Sequence, residues 1–112
     1  MYTSTFVFAA KAFDAEFHRL DDAIATAARS IPGYLGETSW EHPQSGQIAN
    51  VYYWDSLEAL QALVDHPLHR EAKARQANWL DGYHVTIAQV LRTYGDGKLG
   101  GVPGAASQGA RP

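Results

Sequence analysis

"YLGETSWEHPQSGQIANVYYW" runs from Tyr34 to Trp54 and sits near the middle of a 112-residue chain. Two runs rich in aromatic and β-branched residues flank a short polar stretch, Pro43 to Gly46, that has turn chemistry. The stretch reads as a β-hairpin: a strand over Tyr34–His42, a turn, and a strand over Gln47–Trp54. What lies on either side of a central hairpin decides the fold. Upstream, Tyr2–Ala10 ("YTSTFVFAA") reads as a strand. Asp14 then offers a cap, and Phe13, Phe17, Leu20, Ile24 and Ala27 recur at helical spacing until Pro32 and Gly33 stop the helix. Downstream, Asp55 reads as an N-cap with Glu58 completing a capping box. Leu57, Leu60, Leu63 and Val64 form an apolar stripe. Proline is tolerated in a first helical turn but not in a helix interior. Pro67 therefore predicts a break near His66 and a fresh helix from about Pro67 to Leu80, closed by Gly82. Tyr83–Tyr94 ("YHVTIAQVLRTY") reads as a fourth strand.

The order is β-α-β-β-α-β, the ferredoxin-like pattern of the α+β class. It predicts a four-stranded antiparallel sheet with its helices on one face, because right-handed crossovers place both there. The strands are nonetheless apolar on both faces: Phe6 and Phe8 alternate with Val7 and Ala9, and Tyr52 and Trp54 with Val51 and Tyr53. A sheet face left to water should be polar, and the chain has no element left over to cover this one. A second copy packed sheet to sheet is the simplest cover, so a homodimer through the sheet faces is expected. One domain over residues 1–94 and a flexible Gly/Pro/Ala-rich tail over 95–112 complete the expected layout.

Composition narrows the function. Hydrophobic residues make up 46% of the chain, which is globular rather than disordered. The net charge is −3 with no basic patch, which argues against a nucleic-acid partner. There is no cysteine, so disulfides, thiol nucleophiles and cysteine-held zinc are excluded. No signal peptide or membrane-length apolar run is visible, and a cytoplasmic location is the expectation. No dinucleotide, P-loop or serine-hydrolase motif occurs, and the tail's "GDGKLGG" lacks the strand–turn–helix context of a phosphate loop.

Two histidines in "VDHPLHREAKARQANW" (Val64–Trp79) raise the question of a site. Asp65, His66 and His69 are metal-ligand types, but Pro67 disturbs the spacing between the histidines, and no metal is expected. His66 reads as a cap or a solvent-facing residue. On a helix, His69, Ala72, Gln76, Trp79 and Leu80 share one side. His69 therefore points toward the sheet. It is either a core histidine satisfied by hydrogen bonding or a pocket base. Trp54, Trp79, Tyr52 and Tyr83 are either core packing or an aromatic wall for a flat ligand. Asn50 shares a strand face with Tyr52 and Trp54 and needs a partner, from structure or from a ligand. Lys73, Arg70 and Glu71 read as a solvated charged face.

"IPGYLGETSWEH", "VYYWDSLEALQAL" and "HPLHREAKARQANWLDGYHVTIAQVLRTY" resemble the antibiotic biosynthesis monooxygenase-like family of the dimeric α+β barrel superfamily. The resemblance spans about Thr5–Tyr94. It rests most on Trp54-Asp55-Ser56, the "HPLH" step and the Trp79…Tyr83 pair. It implies a ferredoxin-like protomer, a dimer whose two sheets form a barrel, and a pocket between sheet and helices. Better-understood members oxidise polycyclic aromatic compounds with O₂ and neither metal nor flavin; others degrade haem. Leu63 stands where a tryptophan is common in the family. The first strand lacks the asparagine of haem-degrading members, and Lys73 falls about where their haem-ligating histidine would. These departures argue against haem. The expected function is a cofactor-independent monooxygenase acting on a small aromatic or polyketide-like substrate. His69 is the expected catalytic base, and Asn50, Tyr52, Trp54, Trp79 and Tyr83 the expected substrate-binding residues. A non-catalytic small-molecule-binding or stress-type barrel is the alternative, and an isomerase or lyase on the same scaffold is a further one.

Overall fold

The computed structural model describes residues 1–104. Four strands and three α-helices follow in the order β1 (Tyr2–Ala10), α1 (Ala15–Ser30), β2 (Tyr34–Glu41), β3 (Ile48–Trp54), α2 (Leu57–Val64), α3 (Pro67–Arg75) and β4 (Leu80–Gln89). The sheet order is β2-β3-β1-β4 with every neighbouring pair antiparallel, the expected ferredoxin-like arrangement.

Local chemistry sets most boundaries. The Asp14 carboxylate accepts from the Phe17 amide at 2.8 Å and starts α1. Gly33 closes the turn into β2 with φ +100°, a region that favours glycine. A β-carbon there would lie 2.3 Å from the Asp55 carboxylate and 2.7 Å from Ala59. The Gly33 carbonyl accepts from the Asp55 amide at 2.9 Å, so one residue ties the end of α1 to the start of α2.

Three expectations about the second half are corrected. Ser56, not Asp55, caps α2: its hydroxyl accepts from the Ala59 amide at 3.1 Å. The Asp55 amide is already engaged by Gly33, and Glu58 sits in the first turn rather than completing a box. The last helix is shorter than predicted; α3 ends at Arg75 and a 3₁₀ turn over Gln76–Asn78 follows. The Trp79 carbonyl then accepts from the Lys11 amide at 2.8 Å, drawing the chain into the sheet. β4 accordingly begins at Leu80, runs through Gly82 and stops at Gln89 rather than Tyr94. Its last rung is the Val90 amide on the Met1 carbonyl at 3.0 Å. His66 forms the break before α3 as expected: its Nδ1 accepts from the Leu68 amide at 3.1 Å, with Pro67 in the first turn.

All the helices cover one face of the sheet. Trp54 and Ala28 are fully buried beneath them and cluster with Ala59, Leu60 and Leu63. The other face carries Val7 on β1, Ala49, Val51 and Tyr53 on β3, and Trp40, which is 67% exposed, on β2. After β4 the chain is irregular, and Pro103 reaches β2, where a side chain on Gly36 would meet it at 2.6 Å. Residues 105–112 of the expected tail lie outside the described residues. Among the described residues no helix is long and apolar enough to cross a membrane.

Candidate active site

A cavity of about 510 Å³ lies between the helices and the sheet, within the range of small-molecule sites. Three strands make its floor. β1 gives Ser4, Phe6 and Phe8; β3 gives Asn50 and Tyr52; β4 gives Tyr83, Val85 and Ile87. These residues alternate along their strands, so one sheet face supplies them all. Phe17, Leu20, Asp21 and Ile24 of α1 form one wall, at the helical spacing that puts them on a single face. Leu60, Leu63 and Val64 of α2 close the far side. The last wall is the predicted row His69, Ala72, Gln76, Trp79 and Leu80, with Lys73 added to it. His69 therefore does face a space between helix and sheet.

Aromatic contacts brace this shell. Phe17 meets Trp79 edge-on at 5.6 Å, and Phe6 lies 5.6 Å from Tyr83. Arg75 stacks over the Trp79 ring at 5.1 Å while pairing with Glu16 and Glu71 at 3.5 Å each. Trp79 is 4% exposed and offers the cavity an apolar surface.

Polar groups are few and placed. Asn50 Oδ1 accepts from the Ser39 hydroxyl of β2 at 2.8 Å. With its oxygen so engaged, the NH₂ is the end of the amide left to donate. Tyr52 stands opposite Glu37 of β2 in the register, and Glu37 is held by Arg29 at 2.6 Å. Burial first, then the Glu37 carboxylate, pushes the Tyr52 phenol well above its ordinary range, so it stays protonated. The half-covered carboxyl of Asp21 is pushed up by burial and next by its neighbour Asp22.

His69 is half-buried and its pKa is lowered, by burial first and by the Lys73 ammonium second; the Val64 carbonyl acts in the opposite sense. Nδ1 is buried without a formed hydrogen bond. Its lowered pKa keeps the ring neutral at neutral pH. His66, whose Nδ1 is spent on its capping bond, does not join it. Among the described residues no three histidine, aspartate or glutamate side chains gather as a metal site would require.

Five of the six residues named from the sequence, His69, Asn50, Tyr52, Trp79 and Tyr83, line this cavity. Trp54 does not. It is fully buried behind the wall, stacked on Tyr52 at 6.0 Å, with its indole N–H donating to the Ser4 hydroxyl at 3.2 Å. Its placement as a ligand-contacting residue is corrected: it shares a strand face with Tyr52, but the end of β3 runs under α2, into the core rather than into the cavity. Sequence reasoning missed Asp21, Lys73 and Ser4. Asp21 had a signal, because it interrupts the apolar row Phe17, Leu20 and Ile24. Lys73 had one too, one helical turn beyond His69.

No protein-family model matches the chain. The chain is 30% identical over 80 residues to YqjZ, an uncharacterised protein of Bacillus subtilis, across 70% of this chain and 69% of that one. A proposed antibiotic biosynthesis monooxygenase from Deinococcus radiodurans superposes with a TM-score of 0.70 at 22% identity, over 85% of this chain and 97% of that one. SnoaB, a cofactor-independent oxygenase from Streptomyces nogalater, superposes with a TM-score of 0.67 at 15% identity, over 82% of this chain and 94% of that one. Rv0793 from Mycobacterium tuberculosis gives 0.69 at 19% identity, over 82% and 96% of the two chains. The chain therefore belongs with YqjZ to one family in sequence, and it shares the fold of the antibiotic biosynthesis monooxygenase-like proteins.

Proposed function

We propose that this protein is a cofactor-independent monooxygenase that oxidises a flat, electron-rich aromatic substrate with O₂. The observation that carries the reading is the cavity beside His69, roomy, mostly apolar and walled by Trp79, Tyr83 and Phe17. The likeness in fold to SnoaB, a cofactor-independent oxygenase, agrees with it.

His69 takes the proton of a phenol or enol, for which it is suited by being neutral. The resulting carbanion passes one electron to O₂, and recombination forms the new C–O bond as a peroxide. Loss of water leaves the carbonyl of a quinone. One substrate and one O₂ thus give one quinone and one water. The Asn50 amide, bonded by Ser39, donates to the oxygen that carries the charge. Tyr52, held protonated, is a hydrogen-bonding group for another part of the substrate and not a competing base. The apolar walls enclose the ring system on the side of the helices.

The purified chain, with no metal or flavin added, is expected to consume O₂ in the presence of a dihydroxynaphthalene and to form the quinone. His69→Ala is expected to slow this by about a hundredfold or more, the usual contribution of a general base. Equal rates for the two proteins would refute the base assignment. Binding without any O₂ uptake across a panel of polycyclic phenols would favour a binding barrel instead.

The same reading carries a homodimer. The uncovered sheet face bears Val7, Trp40, Ala49, Val51 and Tyr53, and no described element of the chain lies over its middle. A second copy, sheet to sheet, removes this apolar surface from water.

A further inference from the structure

The cavity's charges are separated. Asp21, on α1, lies near Tyr52 and Glu37: its carboxylate acts on the Tyr52 phenol, and Glu37 acts on both. Lys73 sits one helical turn from His69 and acts on its ring. Asp21 stands on the α1 wall of the cavity and Lys73 on the α3 wall.

Lys73 also differs from the other cations near the site. Arg75 is held by Glu16 and Glu71, Arg29 by Glu37, and Arg19 by Glu16. Among the described residues Lys73 forms no ion pair, although it lines the cavity. Its four-carbon stem lets the ammonium reach in while remaining partly hydrated. Beside it stands a neutral imidazole, which accepts a hydrogen bond but brings no second positive charge.

We propose that Lys73 is the anion-holding group of the cavity, and that the ligand is a flat aromatic molecule carrying an anionic oxygen, phenolate, enolate or carboxylate, at the Lys73–His69 end. The inference deepens the monooxygenase reading and rests on its cavity. A phenol oxygen placed between the two gives its proton to His69 and keeps its charge against Lys73. The cation therefore favours the ionised substrate over the neutral one, and the developing charge appears where a countercharge already stands. The opposite end, with Asp21 and the Tyr52 phenol, suits a hydroxyl donor on the far side of the ring system. A molecule with an acidic group at one end and a neutral hydroxyl at the other would then enter in one orientation.

The test needs no turnover. Calorimetric titration of the full chain with naphthoate and with its uncharged analogue naphthamide reads the charge preference directly. Naphthoate is expected to bind about three- to tenfold more tightly, the worth of a partly exposed ion pair with hydrogen bonding. Lys73→Met keeps the stem and is expected to erase that preference while naphthamide binds within about twofold of the parent. Lys73→Gln is a second neutral variant should the first fold poorly, and added salt should shrink the preference in the parent. A preference that survives both variants, or equal binding of the two ligands by the parent, overturns the role of Lys73 and leaves the cavity reading intact. If neither ligand binds at all, the cavity reading itself fails, and this inference with it.

Discussion

Replacing Trp54 by phenylalanine separates two roles that look alike in the sequence. Trp54 is fully buried, touches the cavity through no atom of its own, and bonds Ser4 through its indole N–H. Phenylalanine keeps an aromatic ring against Tyr34 and Tyr52 but removes that donor and part of the ring. The lost hydrogen bond costs about 1 kcal/mol. The two carbons no longer buried cost about 1.5 kcal/mol at roughly 0.8 kcal/mol each. The sum, about 2.5 kcal/mol, corresponds to a fall in Tm of roughly 10 to 20 °C for a domain of this size. Ligand affinity should move little, because the Ser4 hydroxyl that loses its donor still lines the cavity and can turn to water. Thermal unfolding and calorimetric titration with naphthamide, run on Trp54→Phe and on Trp79→Ala, check both halves. Trp54→Phe should be less stable but bind within about twofold of the parent. Trp79→Ala removes a wall and should bind about tenfold more weakly, the worth of a lost aromatic contact. If Trp54→Phe keeps its stability and loses affinity as Trp79→Ala does, the distinction between buttress and wall is wrong.

Two further outcomes are expected. Sedimentation of the chain should give twice the protomer mass, and Trp40→Asp, on the uncovered face at a position 67% exposed, should give the single mass with unchanged circular dichroism; a parent that sediments as a monomer refutes the dimer. The lowered pKa of His69 also predicts a pH dependence of stability. The unfolded chain binds a proton at this residue near the ordinary histidine value of about 6.5, before the folded chain does. The urea midpoint should therefore fall as pH drops through that value toward the folded one, and His69→Gln should remove this part of the slope; an unchanged slope refutes the assignment.

The fold was legible because its signals are local. The hairpin turn, the apolar alternation of β1 and the helix stop at Pro32-Gly33 each follow from a few residues. The end of α3 was not, because it is set by Trp79 binding the Lys11 backbone, 68 positions away in sequence. The cap of α2 was misplaced for the same kind of reason: the Asp55 amide is claimed by Gly33, and only the folded turn reveals it. At the site, helical spacing correctly brought His69, Ala72, Gln76 and Trp79 to one wall. Strand alternation could say that Asn50, Tyr52 and Trp54 share a face, but not that the helix above changes from cavity to core along that face. Lys73 was assigned to solvent by its charge, yet its stem carries it to the cavity.

The edge strand β2 contributes no side chain to the cavity, yet it governs two that do. Ser39 bonds the Asn50 amide, and Glu37 with Arg29 behind it adds to burial in keeping the Tyr52 phenol protonated. Shape and reactivity are thereby written on different strands. A substitution at Ser39 or Glu37 changes which groups donate or accept inside the chamber without altering its volume or its rings. Divergence in this lineage could then swap the chemistry of the site through its outermost strand, leaving the molecule it accommodates the same.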